Sequence, residues 1–228
     1  MDEIRSRSHC EQCALGRHCF TETQSHKAFR AMVSGHQHYN VNQVLYSEGS
    51  ASRYVAVVQS GAVKLVRNEQ VIGFALPGDY IGLACLYEDI QPDTAVALER
   101  TRVCQLATGN DLVEHPESAR LLAGQMNQQR WHTGLSQKSA PARLASYLLR
   151  LSQHQQHRGL SETHLTLPLS RTDTANLLGL ALETTSRLLS KMRSENLICL
   201  NGRAVELLDK AALVELERDS TSPDAKAV

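Results

Sequence analysis

The sequence predicts an α+β chain: a small antiparallel β-roll, a long helix, and a helix-turn-helix closed by a two-stranded wing. Three observations carry that expectation. Residues from about 40 to 108 break into short strand-like runs separated by glycine turns. After Pro116 the texture changes to a run rich in Gln, Arg and Leu, with no proline until Pro141. Nearer the C-terminus, LSRTDTANLLGLALETTSRLLSKMRSENLI holds two helical periods on either side of Gly179.

The elements follow in order. Strands are expected at Val41–Tyr46, Tyr54–Gln59, Ala62–Arg67, Val71–Leu76 and Thr94–Leu106, with turns at Glu48-Gly49, Ser60-Gly61 and Pro77-Gly78-Asp79. Such spacing suits a roll or barrel. Leu121, Leu122, Met126 and Leu135 roughly keep a helical period, which predicts one helix over 117–136. A second spans Ala142–Gln153, with Leu144, Leu148 and Leu151 on one face. Leu165, Leu167 and Leu169 alternate like a short strand. Ser170 or Thr172 can then cap a helix running to Leu178, because a short hydroxyl accepts an orphan N–H. Gly179 ends it, since glycine tolerates the left-handed backbone of a tight turn. The next helix is Leu182–Ser194, with Leu182, Leu189 and Met192 facing inward. Ile198–Leu200 and Ala204–Leu208, joined by Asn201-Gly202, form the wing, and the polar residues from Asp219 onward are expected to fray.

Composition bounds the partners. The 228 residues carry 24 Lys+Arg against 24 Asp+Glu, a formal charge of zero, and are 42% hydrophobic. Disorder, collagen and a disulfide-dense mini-protein are excluded on those figures. The zero hides a gradient: residues 1–117 are net about −4 and residues 118–228 about +4. No acid lies between Glu117 and Glu162, where Arg120, Arg130, Lys138, Arg143, Arg150 and Arg158 all fall. A basic half of this kind is either a solvated face or the footprint of a polyanion. The start has no apolar h-region, and the most apolar stretch, Val71–Tyr87, is cut by Pro77-Gly78-Asp79. No membrane span and a cytoplasmic chain with reduced thiols are therefore expected.

Two constellations carry chemistry. Cys10, Cys13 and Cys19 form C-x2-C-x5-C in a segment with few core-forming residues. Thiolates select zinc or iron–sulfur. Structural zinc favours paired knuckles, and here a second pair is missing, so three local ligands and a distant fourth suit a cubane cluster better. Zinc and redox-active thiols remain alternatives, and His18 can itself be a ligand. Cys85, in GLACL, and Cys199, in LICL, read as core packing, and Cys104 has nothing local that marks it as a ligand. The second constellation is Glu183, Ser186 and Arg187, opening the second helix of the helix-turn-helix. The first turns of that helix enter the major groove in such motifs. Arg bonds guanine O6 and N7 with two N–H groups, and Glu accepts from cytosine N4. The competing reading is an exposed salt bridge at i, i+4.

These residues resemble the CRP/FNR superfamily of bacterial transcription regulators, and C-x2-C-x5-C resembles its FNR branch; the likeness covers roughly residues 10–215. It implies a cyclic-nucleotide-binding-like β-roll of jelly-roll type and a winged helix-turn-helix. The implied domains are a cysteine segment at 1–25, the roll at 26–115, a dimerisation helix at 116–137, the DNA-binding domain at 138–218 and a tail at 219–228. Cys104, placed after Ala97-Leu98-Glu99, becomes the fourth ligand by that resemblance alone. The family's behaviour implies a [4Fe–4S] cluster that favours a homodimer on TTGAT-like inverted repeats under low oxygen, together with RNA polymerase recruitment. Oxygen would convert the cluster to [2Fe–2S] or destroy it. Glu183, Ser186 and Arg187 would read bases.

The runner-up is a member of the same superfamily sensing redox, nitric oxide or haem through thiols or zinc. An enzyme, such as a thiol oxidoreductase, would need a motif, and Walker A, HExxH, GxSxG and a thioredoxin-like βαβ are all missing from the sequence.

Four departures from the family matter. Gly82-Leu83 and Asp93-Thr94 stand where the cyclic-nucleotide branch has Gly-Glu and Arg-Ser, so no cyclic nucleotide is expected. His18 replaces an apolar residue before the third cysteine. The dimer helix lacks the branch's acidic residue. The turn between Arg67 and Val71 is short, which bears on any polymerase contact there.

Overall fold

The computed structural model describes residues 13, 33–51, 53–106, 122, 126, 131 and 133–219. The chain divides into two compact units, Met1–Gln129 and Arg130–Val228.

The first unit is an antiparallel roll of two four-stranded sheets. Its strands are β1 (Val33–Tyr39), β2 (Val44–Tyr46), β3 (Val55–Ser60), β4 (Val63–Arg67), β5 (Gln70–Ala75), β6 (Tyr80–Ile81), β7 (Thr94–Ala97) and β8 (Thr101–Leu106). The sheets run β1-β8-β3-β6 and β2-β7-β4-β5. Period-two alternation sends Ala56, Val58, Val103 and Ile81 to the interior against Val63, Leu65, Ala75 and Ala95. The opposite face of the first sheet carries a second cluster of Val55, Val57 and Leu106 with Leu83, on which Tyr80, Cys85 and Cys104 pack. Gly61 turns β3 into β4 at φ 87°.

Three expectations are corrected in this unit. Thr94–Leu106 is two strands, because Leu98–Arg100 turn the chain between β7 and β8. The segment Val41–Tyr46 is strand only from Val44, with Asn42 in the left-handed region at φ 64°. β1 was not expected, since Gly and His interrupt its apolar pattern; it is held by backbone pairing along β8.

The second unit contains α1 (Ala140–His157), β9 (His164–Thr166), α2 (Arg171–Leu178), α3 (Leu182–Ser194), β10 (Ile198–Asn201), β11 (Ala204–Leu207) and α4 (Lys210–Arg218). The helix expected at Ala142–Gln153 is longer at both ends, with Ser139 as N-cap and a proline in the first turn. Ser170, not Thr172, caps α2 by accepting from Asp173 N at 3.0 Å, and Gly179 ends it at φ 62°, ψ 39°. β9, β10 and β11 make one antiparallel sheet, β10-β11-β9, so the wing has a third strand. Leu165, Leu167 and Leu169 are all buried. α4 was not expected; Asp209 caps it through Ala212 N at 2.8 Å. The predicted helix over 117–136 lies largely outside the described residues; Leu122 and Met126 are helical and exposed. Among the described residues no helix is long and apolar enough to cross a membrane.

Candidate functional site

The first candidate site is the outer face of α3. Thr185, Leu189 and Met192 are buried at i, i+4, i+7 and fix the helix to the core of the unit. That stripe leaves Glu183, Ser186 and Arg187 exposed on the opposite side. Leu182 is exposed as well (47%), against the expectation that it faces inward; it opens the helix one turn before the buried stripe begins. Among the described residues neither Glu183 nor Arg187 makes an ion pair, so the salt-bridge reading fails and both heads face solvent. Ala181 is the N-cap and supplies no side-chain cap, which leaves first-turn N–H groups for an outside acceptor such as a phosphate.

Arg143 on α1 stiffens the turn that aims α3. Its Nη1 donates to Leu178 O at 3.1 Å, and its Nε donates to Lys138 O at 2.9 Å. One guanidinium thus ties the end of α2 to the chain entering α1. In the wing, Arg203 donates from Nε to Leu167 O at 2.8 Å and from Nη2 to Pro168 O at 2.6 Å, fixing the turn between β10 and β11 to the loop before α2. Trp131 Nε1 donates to Ser146 Oγ at 3.1 Å, and the Arg150 guanidinium lies 4.7 Å from the ring centroid. Neither Arg143 nor Arg203 was expected to have a role, because a capping arginine leaves no periodic signature.

The second candidate site is the outer face of the β1-β8-β3-β6 sheet. Register sets His36, Cys104 and Val57 side by side across β1, β8 and β3. His36 Nδ1 lies 3.3 Å from Cys104 Sγ. β3 shifts register against β8 between Val58 and Ser60, and Gln59, at that irregularity, donates from Nε2 to Cys13 Sγ at 3.4 Å. Cys13 and Cys104 are both of intermediate burial. Cys10, Cys19 and His18 lie outside the described residues. Among the described residues no group of three His, Cys, Asp or Glu is placed to hold a metal ion.

The remaining cysteines separate. Cys85 packs on the Val55, Val57, Leu83 and Leu106 cluster, and burial pushes its thiol up to about 11, in keeping with a packing role. Cys199 is exposed, which corrects the core reading. In β10 the alternation buries Ile198 and turns Cys199 out opposite Glu206. The run LICL is apolar in sequence but forms a two-faced strand, with Cys199 on its exposed face.

Within the roll, Asp93 is buried (8% exposed) beside Tyr46 and 4.0 Å from Arg67. Burial raises its carboxyl above the ordinary range, while the Tyr46 hydrogen bond and Arg67 oppose that rise. Tyr46 Oη in turn accepts from Gly82 N at 3.2 Å.

Comparison with known proteins agrees with this architecture. The cyclic nucleotide-binding domain family matches residues 36–110, and the Crp-like helix-turn-helix domain family matches residues 142–216. The transcriptional activator protein FnrA of Stutzerimonas stutzeri is 32% identical, covering 92% of each chain. The transcriptional activator protein anr of Pseudomonas aeruginosa is 31% identical, again with 92% of each covered. Among solved structures, FixK2 from Bradyrhizobium japonicum superimposes with a TM-score of 0.70 at 28% identity, covering 82% of this chain and 98% of that one.

Proposed function

The chain belongs to the CRP/FNR superfamily of transcription regulators, among its FNR-type members, and from that premise we propose that it is an oxygen-sensing DNA-binding activator gated by a [4Fe–4S] cluster. Its relatives are transcription activators rather than enzymes. The observation that supports the gating is the placing of two thiols, Cys13 and Cys104, beside side chains of one sheet, each next to a nitrogen able to donate to a thiolate. Soft sulfur donors with N–H neighbours fit a thiolate-ligated cluster. Cys10, Cys13, Cys19 and Cys104 would hold it, and when bound it supplies an oxygen-labile switch.

The DNA half rests on α3. Arg187, Glu183 and Ser186 read base edges of a TTGAT-like half-site, and the open N-terminus of α3 takes a backbone phosphate. A homodimer on an inverted repeat follows, and it recruits RNA polymerase. Leu122 and Met126, exposed at i, i+4 on the helical segment, supply apolar surface for a second copy. Cyclic nucleotide is not the effector: a phosphate would meet the buried Asp93 carboxyl instead of an arginine.

Anaerobic purification with a visible spectrum and an iron and sulfide assay tests the reading. A brown protein that bleaches in air supports it; a colourless zinc protein overturns it in favour of thiol or zinc sensing. Binding to a TTGAT repeat that weakens steeply with salt tests the DNA half. His18, outside the described residues, slows the response to oxygen by hydrogen bonding near the third ligand. His18→Leu is expected to bleach faster in air, and an unchanged decay removes that role.

A further inference from the structure

We infer that Gln59 and His36 are the roll's own N–H donors to two of the ligand thiolates, Cys13 and Cys104, and that together they set how easily the bound cluster is oxidised and lost. That role presupposes the cluster reading above and deepens it.

Gln59 Nε2 lies 3.4 Å from Cys13 Sγ, and His36 Nδ1 lies 3.3 Å from Cys104 Sγ. Both are within the reach of an N–H to sulfur bond, whose contact is longer than one to oxygen because sulfur is larger. An amide nitrogen has only N–H to offer. A metal-bound thiolate has no proton, so its sulfur can only accept. The Cys104 contact therefore requires the imidazole tautomer with its proton on Nδ1.

Both donors come from the sheet and neither from the cysteine segment. His36 is fixed opposite Cys104 by the β1–β8 register. Gln59 sits at the register shift of β3 against β8. Each contact is half-buried, and Cys104 packs on an apolar cluster of Val55, Val57, Leu83 and Leu106, so water competes poorly for the sulfur. A hydrogen bond to a ligand sulfur draws off electron density and favours the more electron-rich state of a cluster. Donors at two sulfurs therefore raise the potential and resist oxidation. Without them the same four cysteines bind a cluster that air removes faster.

The test uses full-length protein purified without oxygen, as wild type, Gln59→Leu, His36→Leu, the double variant and His36→Gln, which retains an N–H donor. Iron and sulfide content, midpoint potential by optical titration, and the bleaching rate in air are measured on each. Expected are Leu variants that load the cluster, sit at lower potential and bleach faster, by about tenfold for the double variant. His36→Gln should stay close to wild type. Gln59→Leu and His36→Leu are read separately, so loss of the fold in one leaves the other decisive. Loaded variants with the potential and bleaching rate of wild type overturn the role and leave the cluster reading standing. A folded variant that takes up no iron overturns tuning, because it assigns the donors to retention. Wild type lacking iron and sulfide overturns the cluster reading itself, and this role with it.

Discussion

Arg187 and Glu183 contribute nothing visible to the fold: both are exposed, while Thr185, Leu189 and Met192 hold α3 in place. Their replacement separates recognition from stability. Arg187→Ala is expected to leave the melting temperature unchanged and to relax preference at one base pair by about 1–3 kcal/mol. Competition binding with half-sites altered at each position checks this; equal losses on every sequence would make Arg187 a phosphate contact instead. Asp93 gives the opposite kind of residue, buried and costly. Its carboxyl is raised in the folded roll by burial, so the fold binds its proton more tightly than the unfolded chain does. The sign follows from linkage: that contribution is complete below the ordinary carboxylate range and is lost as pH rises through the elevated value. Asp93→Asn should therefore be more stable than wild type at neutral pH, with the gap closing in acid. Melting temperatures between pH 4 and 8 decide it, and a gap that widens in acid would mean that Tyr46 and Arg67 outweigh burial.

At the scale of elements, two glycine turns give graded outcomes. A Cβ on Gly61 would meet Thr101 Oγ1 at 2.5 Å and Arg100 O at 2.6 Å, and φ is +87° there. Gly61→Ala should cost the roll several kcal/mol or prevent its folding, since backbone must move as well as strain. Gly179 is milder, because a Cβ there finds Arg143 Nη1 at 3.5 Å, an ordinary contact. Gly179→Ala should cost about 1 kcal/mol of left-handed strain and weaken DNA binding modestly by shifting the turn before α3. Thermal melts of the two variants check the order, and equal losses would reverse the argument. The same turns explain what was legible beforehand. A capping serine, a left-handed glycine and a helical stripe are local signals, so the ends of α2 and α3 and the turn between them could be read, while the choice of cap between Ser170 and Thr172 and the outward face of Leu182 could not. β1 could not, because its pairing with β8 spans the whole roll and leaves no alternation in SGHQH. The proposal that Cys104 is a ligand rests on resemblance; its neighbour His36 stands 68 residues away and is brought to it by register.

For the whole molecule, the partition of charge bears on how the proposed gating would work. A half of net about −4 carries the four cysteines proposed as ligands, and a half of about +4 carries α3, so the residues proposed to attract DNA and those proposed to hold the cluster fall in oppositely charged parts of the sequence. On the proposed reading, coupling between them passes through the helix expected at 117–136 and a second copy of the chain. In FNR-type relatives, as the resemblance implies, an acid on that helix drives cluster-free chains apart. This chain has no acid from Ser118 to Ser161, and it offers Leu122 and Met126 as exposed apolar surface there. Repulsion between acids is thus missing from the expected seam while Leu122 and Met126 offer apolar surface to a second copy, which shifts the balance toward association whether or not a cluster is bound. Loss of the cluster should therefore weaken DNA binding more than it weakens the dimer. Sedimentation of the cluster-free protein at micromolar concentration is expected to find a substantial dimer fraction, and Leu122→Glu should remove it by restoring both charge and solvation. A cluster-free wild type that is wholly monomeric under those conditions would return the switch to dissociation and leave the missing acid without consequence.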